Sequence, residues 1–141
     1  MAADNAAHAP GAEWKAIVQK NGAKETVAAF ASNAVLETST LNGPCIGAEA
    51  IATVFAAVAG GMYDSLTFTS ETVHGRKTYL EWEGKAFGRD VGGATILHNE
   101  AGLIENVRLY HRPLQMVLQF SEELAKRLEG KVDPGLFRRL V

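Results

Sequence analysis

Cysteine, aspartate and any block of like charge are scarce in this sequence. Cys45 is the one cysteine among 141 residues, which excludes an internal disulfide and makes cytoplasmic residence the expectation. Beside Pro44 in a loop, it reads as a small packed hydrophobe rather than a nucleophile. Aspartate occurs at Asp4, Asp64, Asp90 and Asp133 alone, all expected at the amino-terminal arm, strand starts or turns. Lysine and arginine number 14 against 16 acidic residues, a net charge of -2, and form no run longer than two. Nucleic-acid binding needs a clustered basic face, so no nucleic-acid partner is expected. The longest strongly apolar stretch, 51–62, falls well short of the ~20 residues that cross a bilayer, so no membrane partner is expected either. Residues 1–10 have neither the basic start nor the apolar centre of a secretory leader and are expected to form a mobile arm. The sequence has no G-x-S-x-G element and no Cys-x-x-Cys pair. Gly84, Gly92 and Gly93 fall in strands rather than ahead of a helix, where they permit bending instead of cradling phosphate.

What is present is a well-punctuated alternation of helices and strands. Trp14, Ile17 and Val18 sit at helical spacing, and Asn21-Gly22 stops that helix. A second short helix follows with Val27, Phe30 and Ala31 on its apolar side. Residues 34–40 then alternate, Leu36, Thr38 and Thr40 on one side and Val35, Glu37 and Ser39 on the other, until Asn42-Gly43-Pro44 ends the strand. Residues 47–58 form a helix through Ile51, Val54, Phe55 and Val58, terminated by Gly60-Gly61. Residues 64–74 suit a strand. Loops of two and three residues both fit the Gly75-Arg76 turn, so the side that Glu71 takes is open.

The stretch 79–112 organises the rest. Turn signals at Gly88-Arg89-Asp90 and Asn99-Glu100-Ala101-Gly102 divide it into three antiparallel strands. A three-residue first loop pairs Phe87 with Val91 and Trp82 with Ile96. One face then carries Leu80, Trp82, Gly84, Ala86, Ala94, Ile96 and His98; the other carries Tyr79, Glu81, Glu83, Lys85, Thr95, Leu97 and Asn99. That separation favours this register. A four-residue second loop puts Val107, Leu109 and His111 on the face of His98. Pro113 opens a last helix through Leu114, Val117, Leu118, Ser121, Leu124, Ala125 and Leu128, and Gly130 closes it. Asp133-Pro134-Gly135 turns into a tail with Phe137 and Leu140 on one side. The expected layout is an arm at 1–10, one domain at 11–130 and a tail at 131–141. Helices segregated from a consecutive meander predict an α+β fold, helices packed on one face of a curved antiparallel sheet.

Several phrases then carry a resemblance: F-A-S-N-A-V-L-E-T at 30–38, P-C-I-G-x-x-x-I at 44–51, N-E-A-G-L-I at 99–104 and V-R-L-Y-H-R-P at 107–113. With the element order, they resemble the nuclear-transport-factor-2-like superfamily near its SnoaL-like, polyketide cyclase-like branch, over about residues 12–112. The resemblance implies a cone-shaped, cystatin-like roll around a deep apolar pocket, often in a homodimer. Its members include ketosteroid isomerases, epoxide hydrolases, cyclases and proteins that only bind, and the catalytic members work with pocket carboxylates. This chain departs from them. Trp14 stands where an isomerase tyrosine would be, Thr38 where its base would be and Ala94 where its third polar group would be. No aspartates are placed for epoxide opening. Near the end of the last strand, where a cyclase has an aspartate, the chain reads Tyr110-His111-Arg112.

The expected site is thus an apolar pocket lined by Trp14, Leu36, Thr38, Trp82, Ala94, Ile96 and Val107, with His111 and His98 as candidate acid–base groups. Histidine suits that role because its ordinary pKa is about 6.5. Arg108 and Tyr110, on the outer side of the last strand, are the candidate dimer contacts. A metal needs three or four convergent ligands, and the two histidines come with no clear carboxylate partner, so no metal and no cofactor are expected. Two functions fit. One is isomerase-, cyclase- or hydrolase-like chemistry on a hydrophobic ring compound through a histidine. The other is a non-catalytic domain that binds a hydrophobic ligand or a second copy of itself.

Overall fold

The computed structural model describes Trp14 and residues 23–137. The arm at 1–10, the first helix around Ile17 and Val18, its Asn21-Gly22 stop and Leu140 of the tail lie outside the described residues. The elements run α1 (Ala23–Ala29), β1 (Phe30–Thr38), β2 (Cys45–Ile46), α2 (Ala48–Ala59), β3 (Ser65–His74), β4 (Lys77–Ala86), β5 (Arg89–Glu100), β6 (Leu103–Arg112) and α3 (Leu114–Arg127), then a single 3-10 turn at Pro134–Leu136. The strands form one curved, unclosed sheet in the order β2-β1-β6-β5-β4-β3. The α+β class holds. The sheet is mixed rather than antiparallel throughout, because β1 pairs with β6 in parallel. A parallel neighbour requires a long crossover, and here α2 and the meander lie between the two strands.

Apolar periodicity decides what faces inward. α2 buries Ile51, Val54 and Phe55, and α3 buries Met116, Phe120, Ser121 and Leu124, its inward stripe rotated from the expected one so that Leu114 and Leu118 are exposed. Apart from Met116, which packs with Trp82, Ala86 and Val91, those buried apolar residues share a core with Leu36, Leu80, Leu97 and Val107 from the inner face of the sheet. The second short helix behaves differently from its sequence reading. It ends at Ala29, Phe30 is already the first residue of β1, and Val27 is exposed while Thr26 and Phe30 are buried. The switch to extended backbone breaks the helical spacing that had put Val27 and Phe30 on one side. In the tail, the Asp133 carboxylate accepts from the Gly135 N–H at 2.9 Å. The Asn42 side chain donates to the Phe137 carbonyl at 2.6 Å, which holds the buried Phe137 ring in place.

The β4–β5 register is the main correction. Ala86 pairs with Arg89 and Trp82 with Gly93, so the loop is the two residues Phe87 and Gly88. Their φ values of 55° and 73° fit a turn that needs left-handed backbone at both central positions. A bulky residue in that region costs about 1–2 kcal/mol, and the longer loop had been preferred for its clean separation of the two faces. Phe87 offsets the strain by packing its ring edge-on to Phe120, 6.2 Å between centroids. The register differs from expectation by three residues, an odd number, so every side chain of β5 changes face. Val91, Gly93, Thr95 and Leu97 face inward beside Leu80 and Trp82; Ala94, Ile96 and His98 face outward. Trp82 and His98 therefore lie on opposite faces. The second loop is also shorter than expected, the two residues Ala101 and Gly102 between paired Glu100 and Leu103, and Val107, Leu109 and His111 do not share the face of His98. Gly93 pairs with His111, Thr95 with Leu109 and Leu97 with Val107, so those three β6 residues point inward as expected.

Candidate functional site

Two helices and the inner sheet face enclose a cavity of about 250 Å³. Its walls are mostly rings. Trp14 meets Phe55 of α2 edge-on at 4.9 Å, Trp82 comes from β4, His111 from β6 and Phe120 from α3. Tyr63 enters from the α2–β3 connection, where Gly61 at φ 95° reverses the chain just after the helix terminates. Leu36, Thr38 and Thr40 close the β1 side. Among the described residues, no aspartate, glutamate, lysine or arginine lines the cavity, and Tyr63 and His111 are its titratable groups.

Those two groups form the polar centre. Tyr63 Oη lies 2.7 Å from His111 Nε2, and the two rings are nearly parallel, with centroids 6.2 Å apart. Trp82 and Phe120 flank the imidazole at 5.1 and 4.8 Å. The His111 backbone N–H donates to Ser39 Oγ at 2.9 Å, which ties the end of β6 to the exit of β1. Burial pushes the imidazole pKa down to about 4 and the Tyr63 phenol up, because a charge on either is poorly solvated there. At neutral pH both are therefore uncharged. The second imidazole nitrogen, Nδ1, is buried with no hydrogen-bond partner among the described residues. Trp82 Nε1–H donates to Thr95 Oγ1 at 3.1 Å, so the inward threonine satisfies the indole in an apolar setting. Thr38 and Thr40 hydroxyls lie 3.1 Å apart and form a second polar point at the rim.

Of the residues picked from sequence, Trp14, Leu36, Thr38, Trp82 and His111 are brought together around this cavity. Val107 is fully buried on the inner face but packs within the core and does not line the hollow. Ala94, Ile96 and His98 are on the outer face and cannot share the cavity; Thr95, one residue along, takes the inward place that Ala94 had been given. Arg108 and Tyr110 lie outward as expected. Arg108 Nε donates to Glu37 Oε1 at 3.1 Å, and Tyr110 is 49% exposed. Tyr63, Phe55, Phe120 and Thr95 were not singled out. Phe55 carried a helical-periodicity signal, but Tyr63 stands in a connection with no period to give its direction. His98 lies with Glu100 and Glu105 so that one ligand atom of each is within 4.8 Å of the others. However, the Glu100 oxygen 3.9 Å from His98 is already held by the Arg76 guanidinium at 2.6 Å. Among the described residues, no helix is long and apolar enough to cross a membrane.

No protein-family model matches the sequence, and no curated protein does. Solved structures do match its fold. An uncharacterised bacterial protein with a cystatin-like fold from Silicibacter pomeroyi is 21% identical, with 88% of each chain covered and a TM-score of 0.81. A steroid delta-isomerase from Pseudomonas aeruginosa is 19% identical, covering 86% of this chain and 90% of that one, with a TM-score of 0.77. A protein with a ketosteroid isomerase-like fold from Catenulispora acidiphila, in complex with trimethylamine, is 20% identical over 81% of this chain and 92% of that one, TM-score 0.65. The fold is thus the cystatin-like, ketosteroid isomerase-like one expected from the sequence phrases, and at these identities the likeness speaks for fold alone.

Proposed function

We propose that this protein binds a small, neutral, apolar ring compound in the cavity between its helices and the inner sheet face. The observation that carries the reading is the lining: aromatic and aliphatic walls, no charged side chain among the described residues, and a few uncharged polar groups led by the His111–Tyr63 pair. Concave apolar sites with a few placed polar groups are the usual form of small-molecule sites. Size narrows the class. A cavity of 150 Å³ holds benzene, so about 250 Å³ suits about ten non-hydrogen atoms, the size of two fused rings. At about 0.6 kcal/mol per such atom, affinity falls in the tens of micromolar. The test is tryptophan fluorescence, since Trp14 and Trp82 both line the hollow, with neutral bicyclic compounds set against their carboxylic acids. Saturable quenching by the neutral compounds alone supports the reading, and no response to any of them overturns it.

Proton transfer of the isomerase type is the second reading, favoured by the isomerase-like neighbours and by an imidazole that is neutral and so free of a proton on one nitrogen. Against it, Nε2 is engaged by Tyr63 and Nδ1 is enclosed, which favours binding over turnover. Solvent-deuterium incorporation beside the carbonyl of a bound cyclic ketone, lost in His111→Gln, would shift the balance to catalysis. The outer sheet face, with Ile96, Tyr110 and Arg108, is the surface proposed for a second copy. Sedimentation of wild type and Ile96→Glu tests it: the dimer is expected for wild type and lost in the variant.

A further inference from the structure

The two edges of the sheet are unlike. β2 closes one side with two residues, Cys45–Ile46, and shortness protects such an edge from pairing. β3 closes the other with ten, Ser65–His74, and among the described residues no strand lies beyond it. Its sequence S-L-T-F-T-S-E-T-V-H holds neither proline nor lysine, the residues that commonly keep an edge from pairing. Every residue from Thr69 to His74 is exposed, including the apolar Val73 at 55%.

Pairing with β4 settles which way each residue of β3 faces. Leu66, Phe68, Glu71 and Val73 stand opposite the inward Gly84, Trp82, Leu80 and Thr78, and Ser65, Thr67, Ser70, Thr72 and His74 stand opposite outward residues. The bulge between Phe68 and Ser70 leaves Thr69 outward too, where it lines the outer groove with Tyr79 and Glu81. Facing along the strand is thus the same from either end. Directly opposite residues of an antiparallel pair share a face, and the bulge leaves one two-fold register in which all ten positions match. In it Leu66 pairs with Val73, Thr67 with Thr72, Phe68 with Glu71, Thr69 with Ser70 and Ser65 with His74. The exposed Val73 then covers Leu66 of the other copy. At each end the exposed Asp64 falls beside the exposed His74 and Arg76 of the other copy, so acidic and basic groups meet twice.

We propose that the β3 edge is a surface for self-association, on which a second copy adds its own β3 antiparallel and continues the sheet from one chain into the next. A contact one strand wide and about 34 Å long falls short of the roughly 1,200–2,000 Å² buried in stable complexes. The association is therefore transient and belongs to concentrated protein. It uses neither the cavity nor the outer face of the sheet.

Hydrogen exchange of the Ser65–His74 segment tests it. Exchange is expected to be about 10-fold slower at about millimolar than at about micromolar protein. Equal exchange at both, or slowing confined to β5 and β6, overturns the proposal. Val73→Lys alters an exposed side chain and should abolish the slowing while the melting temperature of dilute protein stays unchanged; slowing that survives it also overturns the proposal. The register has its own test in a chain carrying both Thr67→Cys and Thr72→Cys. Five residues apart on one strand, these cysteines are too distant to bridge within a chain, and Cys45 is buried. Mild oxidation of concentrated protein with glutathione disulfide is expected to give a covalent dimer, and a product that stays monomeric overturns the pairing.

Discussion

Lowering the pH should destabilise this protein through one imidazole. His111 is 8% exposed, and burial drops its pKa from 6.5 to about 4. Between those values the unfolded chain binds a proton that the folded chain does not. The stability is therefore fully present above about pH 6.5, is lost as pH falls through the window, and levels off below about pH 4. At about 1.4 kcal/mol per pH unit the full difference is about 3 kcal/mol, of which about 2.5 kcal/mol is gone by about pH 4.5. That is a large share of a typical domain's stability. Carboxylates lose stability in the same direction: Arg108 holds the Glu37 pKa down, and Arg127 does the same for Glu123. The assay must therefore be a difference. Urea unfolding, followed by tryptophan fluorescence, is measured from about pH 7.5 to about pH 4.5 for wild type and His111→Phe. The variant lacks the imidazole, so the gap between the two should move by about 2.5 kcal/mol in favour of the variant as pH falls. Parallel curves would refute the reasoning, showing that the imidazole is solvated or finds a partner for Nδ1.

Other substitutions test the surroundings. Thr95→Val removes the acceptor of the Trp82 indole N–H and should cost about 1–3 kcal/mol in chemical denaturation, because the buried donor is stranded. A Cβ at Gly93 would run into the Trp82 ring and the Tyr110 carbonyl, so Gly93→Ala should lower the melting temperature by roughly 10 °C or more and shift the tryptophan emission. Ala101 sits at φ 53° in an exposed two-residue turn with Gly102; Ala101→Asn should raise stability by about 1 kcal/mol, read as a higher melting temperature. Arg127 donates to the carbonyls of Ala57 and Gly60 at 3.1 and 2.9 Å, closing the end of α2. Arg127→Ala should cost about 1–2 kcal/mol, and Arg127→Lys should recover only part of it in the same melt.

The sequence by itself determined the order of the longer elements and the inward sides of β1, α2 and β6, but only part of that of α3, where Ser121, Leu124 and Leu128 are buried and Leu114 and Leu118 are exposed. Those features are local: period, turn residues and composition record them without reference to neighbours. Leu36, Thr38, Trp82 and His111 could be assigned for that reason, as each lies on a strand whose alternation settles its side. The meander's register was not local. Pattern matching preferred Ala94, Ile96 and His98 inside because that register separated a mostly apolar face from a mostly polar one. It could not weigh Phe87 accepting a left-handed turn in exchange for packing on Phe120, nor an inward Thr95 satisfied by the Trp82 indole. Both depend on groups distant in sequence. Tyr63 was hidden for a similar reason, as a connection between elements has no period and only the packed α2, β6 and α3 bring its hydroxyl to the imidazole. Tertiary structure alone decided which histidine lies in the cavity, because a face is chosen by the whole sheet, and burial then made that histidine neutral.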